Sequence, residues 1–244
     1  AYVFWEDDRF GHYDIFCIEV NRYGVNPVIN ILTGSTPHWN CYFPVAVKGK
    51  ILVSGEWKDA IHLIWRYREG FYPWFRWYIG YKYYQCDIRQ WSPVQVIAET
   101  SIPADWKPSL AYHNGELHLV WADYRDREGD YRNYVIRYMK GICKENASGG
   151  INWSSVEDVG TAKIDATPDV YIHPSVAADS KGVYVAWAAL WWDGEKYEWR
   201  IYYRSKDSAS DWSTGAYLLS VVTDATAYQP AIAVEGDYIH LAYY

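Results

Sequence analysis

The chain has 244 residues, half of them hydrophobic and 19% aromatic, with a formal net charge of −7. That composition supports a sizeable buried core. With no basic run it argues against nucleic acid or anionic membrane as a partner. No run of about 18 apolar residues occurs, so membrane insertion is not expected; no signal peptide is visible either.

The first segment, "AYVFW", reads as the middle of a strand, as though the chain were a mature or trimmed piece of something longer. It runs into "EDDRFGHYDI", where Asp7 and Arg9 sit in a hairpin, and then into "GVNPVINIL". The next unit begins with "PVAV" at Pro44, passes through "IHLIW" to Trp65, and continues with Arg66, Arg68 and "FYPWFRW". The third begins with "PSLAYH" at Pro108, followed by "ELHLVWAD", "YVIRYMK" and "SSVEDVG". The fourth begins at Pro174 and includes "LWWDG"; a fifth, "PAIAVEGDYIHLAYY", begins at Pro230. These runs are β-branched and aromatic, with Gly and Asn at their turns, and no amphipathic helix of useful length appears.

The order repeats. Pro108, Pro174 and Pro230 each stand thirteen residues before an aromatic, namely Trp121, Trp187 and Tyr243. Trp5 and Trp65 extend the series at intervals of roughly 60 residues, a blade-like period. After the aromatic come a polar turn, a bulky alternating run and a Trp-Ser pair: Trp91-Ser92, Trp153-Ser154 and Trp212-Ser213. In the first unit Pro27-Val28 takes the place of Pro93-Val94. Four strands per repeat predict an all-β fold, a β-propeller of four-stranded antiparallel blades, with about four repeats and a partial one. The units span approximately 1–36, 37–100, 101–166, 167–225 and 226–244 of a single domain. A β-sandwich is the alternative, but it predicts cleaner alternation of polar and apolar residues. Trp5 and Tyr243 occupy one repeat position, which leaves a surplus strand. Either the ring closes unusually or the chain is cut from a larger propeller.

Residues 205–212, "SKDSASDW", resemble the Asp-box motif S-x-D-x-G-x-x-W of the sialidase-like (BNR-repeat) propeller superfamily. Ser205, Asp207 and Trp212 match, and Ala209 replaces the usual glycine. "NASGGINW" is a weaker copy in which Gly150 and Trp153 match while Asn146 and Ser148 replace serine and aspartate. The second unit keeps only Trp91. The resemblance implies a structural box: aspartate and serine bond turn backbone and the tryptophan packs beneath, as short polar side chains can in turns. It also implies that the box lies on the face opposite a sialidase's catalytic site. The arginine triad and tyrosine–glutamate pair of sialidases cannot be assigned among 25 tyrosines, and their early Arg-Ile-Pro element is missing, because Ile102-Pro103 follows Ser101.

Ligand-binding candidates come from the hairpins between second and third strands: Asp7, Arg9, Arg66, Arg68, Asp123, Arg125, Trp191, Trp192 and Asp193. Their structural reading is turn architecture, with Asp7 and Asp123 accepting backbone hydrogen bonds and Arg9 and Arg125 pairing with them. Their functional reading is a sugar surface, since rings pack on the C–H faces of sugars while charged groups bond hydroxyls. A glycosidase acting from the same face is the rival reading, with two carboxyls placed about 5–10 Å apart.

The histidines His12, His38, His62, His113, His118, His173 and His240 are scattered and form no metal-ligand pattern. No cofactor is expected; calcium at the turn carboxylates Asp126, Glu128 and Asp130 is the one candidate, without EF-hand spacing. Cys17, Cys41, Cys86 and Cys143 lack a CxxC pair and permit two disulfides that spacing cannot assign. Asn146 and Asn152 begin glycosylation sequons. The reading favoured is an extracellular or cell-surface module, non-catalytic, binding a glycan or protein ligand, with self-association as a further partner class.

Overall fold

A computed structural model describes residues 1–31, 40–70, 74–101, 107–144, 150–165, 172–192, 194–207, 211–219 and 229–243. Asp193, Asn146, Ser148, Ala209 and His38 lie outside them. The chain divides into two compact units, Ala1–Ala104 and Asp105–Tyr244, a boundary close to the expected repeat border after residue 100. The described residues are all-β, in antiparallel sheets, and no helix among them is long and apolar enough to cross a membrane.

The first unit holds two sheets. One is built from β1 (Tyr2–Asp7), β2 (Asp14–Asn21), β3 (Gly24–Val25) and β4 (Ile29–Asn30), with β3 and β4 both pairing β2. The other runs β5 (Asn40–Val53), β6 (Glu56–Glu69), β7 (Arg76–Gln85), then β8 (Gln90–Trp91) and β9 (Gln95–Thr100), both paired to β7. The expected fourth strand is thus present as two pieces, broken at Ser92-Pro93-Val94.

The second unit repeats the scheme. β10 (Ser109–His113), β11 (Glu116–Glu128) and β12 (Tyr131–Cys143) are followed by β13 (Ile151–Trp153) and β14 (Glu157–Asp165), both on β12. β15 (Ser175–Ala178), β16 (Gly182–Trp192), β17 (Tyr197–Asp207) and β18 (Tyr217–Leu218) form the next sheet, and β19 (Ala231–Glu235) with β20 (Tyr238–Ala242) a two-stranded one. Asn114 and Gly115, with φ of 45° and 87°, make the β10–β11 hairpin. A two-residue turn with both φ positive matches the twist of its strands, and Asn-Gly is the pair that tolerates it.

The Trp-Ser signal has a local cause. In three sheets the serine closes the break: its hydroxyl accepts an N–H of the third strand and its own N–H returns to that strand's carbonyl. The hydroxyl distances are 3.0 Å from Tyr83 N to Ser92, 3.0 Å from Lys140 N to Ser154 and 3.3 Å from Ser205 N to Ser213. The return bond is 2.8 Å in each. A side-chain oxygen thereby replaces the ladder bond lost where the strand bends.

Middle strands are buried on both faces. Every residue of Ala60–Tyr67, Leu117–Ala122 and Val185–Leu190 is buried, so bulky residues at odd and even positions alike meet protein. In the first unit Trp65, fully buried, packs with Ile15, Cys17 and Ile31 of the preceding sheet. In the second unit Trp187 donates its indole N–H to Thr161 O of β14 at 3.1 Å. First strands lie side by side, β10 against β15 and β15 against β19. There Val176 N donates to Ser109 Oγ at 3.2 Å and Ile232 N to Ser175 Oγ at 3.1 Å.

None of the four cysteines is in a disulfide: Cys17, Cys41 and Cys143 are buried and Cys86 is partly so. Burial pushes Cys17 and Cys143 up to about 11. The two disulfides that an even count permitted do not form.

Candidate functional site

The ends of the second and third strands carry most of the residues singled out from the sequence. In the first hairpin, Asp7 accepts Arg9 N at 2.9 Å, Arg9 Nε at 2.9 Å and the Arg9 terminal nitrogen at 2.6 Å. These bonds hold the Asp7 carboxyl well below the usual carboxylate range. The Arg9 guanidinium lies 4.5 Å over the ring of Phe16. The acidic opening is therefore a turn clamp, and its aspartate is already spent on its neighbour.

The third-unit hairpin departs from that pattern. Arg125 stands 3.7 Å from Asp126, and Asp123 is met by Arg137 at 3.7 Å. Arg137 also pairs with Asp158. The expected Asp123–Arg125 clamp is replaced by a partner from the neighbouring strand, because the register slips between Tyr124 and Asp126 and carries Arg125 outward.

Arg66 and Arg68 are ligand-binding candidates by sequence. Arg66 is instead 1% exposed and donates to Thr100 Oγ1 at 2.9 Å, with its guanidinium 5.7 Å from the Trp77 ring. Arg68 lies over Phe75 at 4.4 Å and near Trp77 at 5.9 Å. Part of "FYPWFRW" thus serves as cover for two cations, a use of aromatic faces that gains strength with desolvation. Trp74 remains 83% exposed.

Trp191 and Trp192 are neighbours on β16 and so point to opposite faces. Trp191 faces Arg200, 5.6 Å from its ring. Trp192, half exposed, meets Tyr197 across the strand pair with ring centroids 4.9 Å apart. Tyr197 meets Tyr131 of the preceding sheet at 4.7 Å. Lys163 of β14 lies over both tyrosine rings, at 4.7 Å and 5.1 Å. Its ammonium donates to Tyr197 Oη and to Glu128, each at 3.1 Å. The bond to Tyr197, then Glu128, raises the lysine's pKa, so it stays cationic. The result is a shelf of three rings around one fixed charge, open to solvent on the Trp192 side.

Tyr131, Lys163 and Tyr197 were missed in the sequence. A signal for the tyrosines was there: four hairpin strings end in tyrosine, at Tyr13, Tyr72, Tyr131 and Tyr197, of which Tyr72 lies outside the described residues. Tyr13 makes the same kind of contact, 5.1 Å from Tyr42 of the following sheet. Nothing in the local pattern marks Lys163.

The Asp-box residues lie at the opposite end of β17. Trp212 bridges Lys206, packs edge-on against Tyr138 at 5.1 Å and donates to Glu157 at 3.0 Å. The hydroxyl that closes the turn is that of Ser213, and Ser205 contributes main-chain atoms. Asp207 is exposed at the strand end, paired with Gly182. Gly150 accepts Lys144 N at 3.3 Å, and Trp153 packs on Gly141.

His62 and His118 are buried strand residues, each hydrogen-bonded through Nδ1 to a tyrosine hydroxyl: Tyr81 at 2.8 Å and Tyr138 at 2.9 Å. Burial pulls both down to about 4. Among the described residues no set of three or more His, Cys, Asp or Glu side chains converges as metal ligands do. Of the calcium candidates, Asp126 accepts Asn133 and Glu128 accepts Lys163.

No family model, curated protein or solved structure matches the chain.

Proposed function

We propose that the sheets are blades of a β-propeller and that the chain is a non-catalytic glycan-binding module of the cell surface or extracellular space. The blade reading is supported by first strands that neighbour one another through a repeated serine bridge. It is also supported by second-strand tryptophans that pack on the preceding sheet. Two facing layers would solvate one face of each middle strand, whereas Ala60–Tyr67 is buried without a break.

The observation that carries the binding reading is the shelf of Trp192, Tyr197 and Tyr131 around Lys163. Flat rings offer a sugar's C–H face a large contact at low entropic cost, and a fixed ammonium bonds its hydroxyls. Four carboxylates at these hairpin ends already serve cations: Asp7 serves Arg9, Asp123 serves Arg137, Glu128 serves Lys163, and Glu198 serves Arg200. A glycosidase's acid must instead hold a raised pKa in a site free for substrate.

A glycan array read with the parent chain and with Trp192→Ala and Lys163→Ala tests this. The parent should bind a subset of glycans, and each variant should lose roughly tenfold in affinity, equivalent to ~1.4 kcal/mol. An empty array, or full binding by Trp192→Ala, would refute it.

A further inference from the structure

Arg66 and Arg68 are two residues apart on β6, so they project from one face of its sheet about 7 Å apart. Residues directly opposite share that face. Tyr42 of β5 stands across from Arg66, and Trp77 of β7 stands across from Arg68, with Thr100 of β9 beyond it. The Trp77 ring receives both guanidiniums, at 5.7 Å and 5.9 Å, and Phe75 covers Arg68 at 4.4 Å. Ring faces offset part of a cation's desolvation, but they carry no net charge. Two like charges on one face still favour a negative charge between them.

Other cations near the hairpin ends have carboxylate partners: Asp7 for Arg9, Glu128 for Lys163 and Glu198 for Arg200. Among the described residues Arg68 is in no ion pair, and its buried Nε makes no hydrogen bond. Glu69, the next residue on β6, points to the opposite face. Glu6 of β1 accepts Phe43 N at 2.6 Å. Tyr42 completes the wall. Its ring lies 6.0 Å from Trp77 and 5.1 Å from Tyr13, and its hydroxyl makes no hydrogen bond among the described residues. The strand is bent where it presents this tyrosine. β5 is bulged between Tyr42 and Val45, and Phe43 holds a φ of 54°, a left-handed backbone that is costly for an aromatic residue. Bulges re-aim side chains beside binding sites. Arg68 and Tyr42 are both partly exposed, so solvent reaches the row at its hairpin end.

We propose that this face of the first unit binds a dianionic phosphate group, either a phosphate monoester or the free ion. Arg68 bonds the phosphate oxygens through its terminal nitrogens, and the Tyr42 hydroxyl donates a further bond. Arg66, buried and tied to Thr100 Oγ1 at 2.9 Å, adds its charge from behind. Charge selects the ligand. Two guanidiniums match the two negative charges that a phosphate monoester approaches near pH 7, whereas a carboxylate, a sulfate ester or a phosphodiester carries one. The site does not use the Trp192 shelf, so either reading can fail without the other.

The test titrates the full chain calorimetrically with phenyl phosphate, phenyl sulfate and inorganic phosphate at about pH 8, where the phosphates hold two charges. Phenyl phosphate should bind once per chain, about tenfold more tightly than phenyl sulfate, which has the same ring and one charge fewer. Arg68→Gln should weaken it about tenfold, and Tyr42→Phe, which keeps the ring, about fivefold. If Arg68→Gln fails to fold, Tyr42→Phe decides. Inorganic phosphate bound as tightly as phenyl phosphate supports the free ion as ligand, and tighter phenyl phosphate supports a monoester whose body reaches the rings. No saturable binding by any of the three, phenyl sulfate bound as tightly as phenyl phosphate, or unchanged binding by Tyr42→Phe would each overturn the proposal.

Discussion

Gly160 sits under Trp187, and the smallest substitution there should be felt. A Cβ at Gly160 would stand 2.6 Å from Cζ2 and 2.8 Å from Cη2 of the indole. Ordinary contact needs about 3.5–4.0 Å, so ring or backbone must move by about 1 Å. The ring has little room: Trp187 is 1% exposed and its N–H is tied to Thr161 O at 3.1 Å. Overpacking of this kind costs about 1–3 kcal/mol, and loss of the indole bond adds about 1 kcal/mol. Gly160→Ala should therefore destabilise the second unit by about 2–4 kcal/mol. For a unit of this size that lowers Tm by roughly 5–15 °C. Urea titration followed by circular dichroism measures the loss, and the double mutant Gly160→Ala/Trp187→Leu tests its cause. If the indole is the obstacle, the two changes are non-additive by more than about 0.5 kcal/mol, the double mutant being more stable than the sum predicts. A neutral Gly160→Ala, or strict additivity, would refute the packing of Trp187 onto the preceding sheet.

Buried neutral histidines set a pH dependence. His62 and His118 fall to about 4 when folded against about 6.5 unfolded, so their contribution is complete above pH 6.5 and is lost as pH falls toward 4. Two and a half pKa units amount to about 3 kcal/mol per histidine, and urea midpoints across pH 4–7 should shift accordingly, with about half the slope in His118→Phe; a flat profile would contradict the buried neutral state. Thiol titration with an aromatic disulfide should give one fast equivalent, Cys86, with Cys17, Cys41 and Cys143 reacting at the unfolding rate; two or more fast equivalents would be inconsistent with their burial. Ser154→Ala leaves Lys140 N–H without its acceptor at 3.0 Å and should cost about 1–2 kcal/mol; no change in urea midpoint would mean that the serine does not hold the break.

Repetition made much of the local architecture readable in the sequence. Strand-end aromatics and Trp-Ser pairs recur because the same packing problem recurs: Trp65 and Trp187 each pack on the preceding sheet of their unit, and Ser92, Ser154 and Ser213 each close a broken fourth strand. The break itself was less readable. Two short pieces on one strand look like a single run until the hydroxyl between them is located. Contacts between sheets were the least readable. Lys163 carries no pattern of its own, and it becomes a site residue only because β14 lies against β16 and sets its ammonium over Tyr131 and Tyr197. Arg66 misled in the opposite direction. A charged residue three positions from an exposed glutamate reads as surface, yet Trp77 and Thr100 give it enough partners to be buried.

The tryptophan pair on β16 shows why position in a strand outranks residue type at such a surface. As sequence, "WW" reads as one patch. As structure, the two rings belong to opposite faces, and each takes a different cation: Arg200 under Trp191, and Lys163 through Tyr197 for Trp192. Trp192 looks toward the sheet before it and completes a shelf that two sheets build together. Trp191 looks the other way, over an arginine already paired with Glu198. A ligand that used both rings would have to wrap the strand end. One that uses Trp192 needs only to lie on the shelf. Substituting Trp191 by alanine should therefore leave glycan binding within about twofold of the parent while Trp192→Ala loses it. Equal losses from the two variants would mean that the ligand spans the strand end and that the shelf is only half of the site.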